Sequence, residues 1–113
     1  MAPSSLRVAL LLYPGCMPAG LLAFARLLHA ANRGAGRRLC EAGFVGLAAG
    51  EVACAHGLRL PAAQALDGAQ IDALLVPGFW TESAEQVEAE LADKAPLVAA
   101  IRRVGKDVAV WSY

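Results

Sequence analysis

An α/β sandwich with a mainly parallel sheet is the fold this sequence predicts, on three observations. Aliphatic runs of strand length stand at Leu6 to Leu12 and Asp72 to Val76, and Val108 to Tyr113 is a further largely apolar strand. Segments with helical apolar spacing separate them, and the first two runs end in the same dipeptide, Pro14-Gly15 and Pro77-Gly78. Unbroken apolar strands need cover on both faces, which a parallel sheet with right-handed helical crossovers supplies.

The elements follow in order. After the first strand, Pro18 suits a first helical turn, and Leu21, Leu22, Ala25, Leu28 and Ala31 recur at helical spacing until Asn32, Arg33 and Gly34 stop the pattern. Arg33 to Arg38 reads as a basic loop whose charge complements the negative end of that helix. Ala42 to Leu47 is a second strand, and Val52 to Leu60 is a small hairpin turning about His56-Gly57 and ended by Pro61, with Gly57 supplying a positive φ. Ser83 with Gln86 three residues later is a capping box opening a helix through Val87 and Leu91. Pro96 interrupts that helix and restarts it toward Gly105, with glutamates early and Arg102, Arg103 and Lys106 late, as the helix dipole favours. The first, third and fourth strands, at Leu6, Asp72 and Val108, are expected side by side at the centre of one sheet with the Ala42 strand. The chain ends within the last of them, so residues 1–113 are expected to be the first part of a larger domain.

Composition narrows the function. One hundred and thirteen residues suffice for one core, and 58% apolar residues exclude a disordered chain. Ten Lys and Arg balance ten Asp and Glu, so no net field attracts nucleic acid or an anionic membrane. Charged residues are only 18%, which leaves thin solvation and suggests that an apolar face meets a partner, such as a second copy. Cys16, Cys40 and Cys54 form neither a CxxC pair nor an even disulfide framework, which fits a reducing cytoplasm. The uncharged stretch from Val8 to Ala25 is broken by Pro14, Gly15, Pro18 and Gly20, so it reads as neither a membrane span nor a signal sequence.

In an open parallel sheet the ligand crevice lies beyond the carboxyl ends of the strands. That places Tyr13, Gly15, Cys16, Gly78, Phe79 and Trp80 as candidate ligand-binding residues. The turn at Gly78 can aim N–H groups at an anion, and Phe79 and Trp80 can wall an apolar ligand or simply close over the core. Cys16 reads chiefly as a buried thiol that lies at the crevice edge, since the only activating feature in view is a helix start. Cys54 and His56 would share one face of a strand but lack further ligands for a metal, and His29 sits where a cation favours a helix C-terminus. Neither GxSxG, GxGxxG, a P-loop nor HExxH occurs, so no catalytic residue, cofactor or metal is assigned.

Leu11 to Gly15, Ala30-Ala31-Asn32, His56 to Leu60 and Asp72 to Gly78 together resemble the ThiJ/PfpI superfamily, and more closely the N-terminal sensing domain of AraC-type transcription regulators. The resemblance spans nearly the whole chain and implies a flavodoxin-like, class I glutamine amidotransferase-like domain. Enzymes of that superfamily carry a cysteine on an elbow directly after the strand that Val108 to Tyr113 resembles, and an acid near the end of the first strand. This chain stops where that cysteine would stand. Cys16 to His29 contains no Asp or Glu, and Gly20 and Arg26 occupy places where such regulators often carry acids. Phe79 replaces the second glycine usual after Pro77-Gly78. The resemblance therefore implies a non-catalytic ligand-sensing or dimerising domain of a bacterial regulator. It would form a homodimer, take an unidentified small-molecule effector, and reach DNA only through a region beyond residue 113. The alternatives are a cysteine-dependent hydrolase, glyoxalase or hydratase with its nucleophile beyond Tyr113, and a stand-alone structural partner protein.

Overall fold

A computed structural model describes residues 5–113. Strand β1 (Leu6–Leu11) leads through helix α1 (Ala19–Ala35) to β2 (Cys40–Gly46). The hairpin β3 (Gly50–Ala53) and β4 (Arg59–Ala62) follows, then a short strand β5 (Gln64–Ala65) and β6 (Ala73–Val76). Helices α2 (Ala84–Asp93) and α3 (Ala95–Val104) return the chain to β7 (Ala109–Ser112).

Five strands form one sheet in the order β5-β2-β1-β6-β7, every pair parallel, while β3 and β4 pair antiparallel. This is a flavodoxin-like α/β fold with a small hairpin, as expected. Leu10, Leu11, Leu12, Leu21, Leu66 and Leu74 are fully buried, and each contributes roughly 1.5–3 kcal/mol by leaving water. Alternate residues of β7 point to opposite sides of the sheet, although all four remain exposed. Trp111 meets Phe24 of α1 edge-on at 6.2 Å between ring centroids, whereas Val110 lies against Gly105 at the end of α3.

The central strand is β1, and β5 and β7 are the edge strands among the described residues, with Val110 of β7 42% exposed. The three aliphatic strands are adjacent, as predicted, but they do not all lie at the centre. Strand continuity shows that a segment is apolar, not which strand lies outermost.

Several element boundaries differ from the sequence expectation for local reasons. Helix α1 passes Asn32 and Gly34 and stops at Gly36, whose φ of 68° is the left-handed cap that glycine takes without strain. Half of the basic loop is therefore helix. Asn32 still marks the exit, because its side chain accepts hydrogen bonds from Leu39 N–H (2.7 Å) and Cys40 N–H (3.0 Å) and donates to the Cys40 carbonyl (2.8 Å). Those bonds begin β2 at Cys40 rather than at Ala42. The hairpin starts two residues earlier than Val52, and Pro61 lies inside β4 on an edge strand that tolerates a missing N–H. Its tip is a single 3₁₀ turn, so Cys54 and His56 share no strand face, and His56 joins Gly57 at positive φ. The β5 strand has no sequence signature, because two residues carry no periodicity. Ser83 caps α2 by accepting from Gln86 N–H at 3.1 Å, and Gln86 Oε1 accepts from Glu82 N–H at 2.6 Å. Pro96 falls in the first turn of α3, where its missing N–H costs nothing.

Candidate functional site

Strand order reverses between β1 and β6, since the chain proceeds from β1 outward to β2 on one side and from β6 outward to β7 on the other. Such a switch point opens a crevice beyond the carboxyl ends of the two strands. The two Pro-Gly turns lie there and are stitched together. Met17 N–H donates to the Gly78 carbonyl at 2.9 Å, Cys16 bridges Phe79, and the Tyr13 hydroxyl donates to the Pro77 carbonyl at 2.6 Å. Gly15, with φ of 82°, makes the first turn possible, and Cys16 N–H closes it on the Tyr13 carbonyl at 3.0 Å.

Tyr113, after the end of β7, closes the third side. Its hydroxyl donates to the Met17 carbonyl at 3.0 Å, and its ring lies over Gly20, where any Cβ would collide with it. Its carbonyl comes within 3.3 Å of where a Cβ at Gly78 would stand. Glycine at both positions is thus a matter of space. Burial raises the Tyr13 phenol well above its ordinary range, with smaller contributions from Cys16 and Tyr113, and burial likewise raises Tyr113. Burial and a hydrogen-bonding contact with the Cys16 thiol push Cys54 up to about 11, against a lowering contact from Leu60. The floor of this crevice is phenol, thiol and main chain.

Beside it, Lys94 places its ammonium over the rings of Phe79 (5.0 Å) and Tyr13 (5.6 Å) while pairing with Glu90. Lys94, Tyr13, Pro14, Leu47, Pro96 and Leu97 line most of a cavity of about 310 Å³. Another, of about 240 Å³, adjoins it across Pro14 and Leu47 toward β3. A hollow of about 200 Å³ beside Arg7, Glu41 and Gln70 is remote from the turns.

Of the residues singled out from sequence, Tyr13, Gly15, Cys16, Gly78 and Phe79 come together. Trp80 does not, being 76% exposed, so it walls no apolar ligand in this state. Cys54 and Lys94 join the site without having been expected there. So do Gly20, singled out from sequence only for standing where related regulators often carry an acid, and Tyr113, which ends a strand expected to open on the crevice. A glycine inside the first helical turn is a poor helix former, which is a readable sign of close approach. No sequence signal places Tyr113 over it. His29 and His56 are exposed, and no group of three potential metal ligands occurs among the described residues.

Fold and crevice together define a class: a flavodoxin-like domain with a crevice at the strand switch point. Neither a protein-family model nor a curated protein matches the sequence, whereas solved structures do. A transcriptional regulator protein from Vibrio parahaemolyticus matches with a TM-score of 0.66 and 17% identity, over 96% of this chain and 56% of that one. An AraC family transcriptional regulator from Pseudomonas putida gives 0.63 and 20%, over 95% and 55%. A ThiJ/PfpI family protein from Bacillus anthracis gives 0.56 and 16%, over 99% and 52%. These are the relatives the sequence resemblance anticipated, and at such identities the likeness establishes the fold. The chain spans just over half the length of each. No helix among the described residues is long and apolar enough to cross a membrane.

Proposed function

We propose that this chain forms the ligand-sensing part of a transcription regulator, with the effector held at the crevice formed by Tyr13, Gly15, Cys16, Gly78 and Phe79, and with Trp80 free to fold over it. The observation that carries the reading is the composition of the crevice. General acid–base chemistry commonly contributes about 10²–10⁴-fold in rate and needs a titratable partner beside the reacting group. Here the place nearest the first helix is Gly20 under a tyrosine ring, and the nearby phenols and Cys54 hold their protons more firmly than usual. Such a site suits recognition better than turnover. Likeness to two regulators supports the same reading.

The domain works as a homodimer in the cytoplasm on this reading, and DNA contact falls to a region beyond residue 113. The test uses the full-length protein. A panel of methylglyoxal, amide and isocyanide substrates should give no turnover, while the protein should shift a DNA fragment from upstream of its own gene. Robust turnover without DNA binding would establish the cysteine-dependent enzyme instead. Loss of that turnover in Cys16→Ser would identify the thiol responsible.

A further inference from the structure

Cys16 and Cys54 lie 38 positions apart in sequence, and the fold brings them together. Both are free thiols, Cys16 fully buried and Cys54 7% exposed, and the Cys54 thiol donates to the Val52 carbonyl of the preceding β3 at 3.7 Å. Main-chain hydrogen bonds bracket the pair: Gly15 N–H donates to the Ala53 carbonyl at 3.0 Å, and Ala55 N–H donates to the Cys16 carbonyl at 2.9 Å. Backbones joined in this way run about 5 Å apart. That spacing falls within the Cα separation of about 4.4–6.8 Å that a disulfide requires. Cys40, at the start of β2, belongs to neither segment.

The geometry points to Cys16 and Cys54 as a modification site, a dithiol that closes to an intramolecular disulfide when the protein meets a peroxide. One thiolate attacks a peroxide oxygen, forming an S–O bond as the O–O bond breaks, and the departing hydroxide takes a proton to become water. The second sulfur then attacks the sulfenyl sulfur, forming the S–S bond as the S–O bond breaks. The leaving hydroxide takes the second thiol's proton as another water. Two thiols lose two electrons, and one peroxide becomes two waters.

Access is the controlling step, because both cysteines are buried and Cys54 stands at the base of the hairpin tip. That tip is the segment best placed to lift, since it is a single 3₁₀ turn and His56 sits at φ of 62°, a strained conformation for a residue with a Cβ. The bond would fasten the tip of the hairpin to the crevice floor. This inference holds whether the domain senses a ligand or catalyses a reaction.

The decisive experiment treats wild-type full-length protein with hydrogen peroxide under native conditions, blocks remaining thiols with iodoacetamide, and digests with trypsin plus a glutamate-specific protease. Cleavage at Glu51 separates Cys40 from Cys54. The expected product is the peptide Val8 to Arg26 joined to Val52 to Arg59, lighter than their sum by two hydrogens, released by dithiothreitol and absent from a Cys54→Ala variant. Full alkylation of both cysteines after treatment that oxidises an exposed thiol would overturn the proposal. So would separate sulfinic or sulfonic acids without the joined peptide. Because the crosslink is read in the unmutated protein, instability of the variant leaves the test intact.

Discussion

A single amide at Asn32 satisfies two N–H groups and one carbonyl where α1 hands over to β2. Leaving such partly buried groups unpaired costs about 1–3 kcal/mol. Asn32→Ala should therefore lower the urea midpoint by an amount corresponding to about 2 kcal/mol, with an unchanged m-value. The glycine beneath Tyr113 gives a paired prediction. Gly20→Ala should destabilise the protein through collision with the ring, although alanine is the better helix former. Adding Tyr113→Ala should recover part of that loss, so the two changes should be non-additive in a double-mutant cycle. Strict additivity would mean that the ring does not rest on Gly20. Titration also belongs to single residues. Cys54, raised from 9.0 to about 11, binds its proton more tightly folded than unfolded. Its contribution is complete below the unfolded value and is lost as pH rises through about 11, with the raised phenols of Tyr13 and Tyr113 extending the loss to higher pH. Urea midpoints measured from pH 8 upward should fall above 9, and less steeply for Cys54→Ala than for wild type.

Among the elements, β1 and β6 are readable because both of their faces are buried and their sequences are correspondingly unbroken. Leu74 in β6 is wholly enclosed, so Leu74→Ala should cost about 2–5 kcal/mol in equilibrium unfolding. The start of α2 is equally legible, since a capping box acts through local bonds that its own sequence specifies. Ser83→Ala should cost about 1 kcal/mol and speed amide exchange in the first turn of α2. Less legible are elements decided by distant contacts. Cys40 enters β2 because Asn32 holds it, and β5 exists because β2 offers an edge at Val45 and Gly46. The site divides along the same line. The Pro-Gly turns announce the floor, whereas Gly20, Cys54 and Tyr113 join it from separate parts of the chain.

For the whole molecule, the apolar composition finds its place along β7 and the neighbouring helix. Val110, Trp111 and Tyr113 stay exposed, as do Leu22 and Leu27 of α1. An edge strand of this kind invites pairing. The 113-residue segment should self-associate at high concentration, and sedimentation showing a well-folded monomer would count against that expectation.

The ring of Tyr113 over Gly20 makes the crevice self-occupied. Under the proposed sensing role, a planar effector group settling there would first have to evict the tyrosine and break its bond to the Met17 carbonyl. Apparent affinity is then the intrinsic affinity scaled by the fraction of molecules with the ring already out. On that proposal the side chain would act as a built-in competitor that sets a threshold concentration. Shortening it should lower that threshold while loosening the end of the strand that carries it.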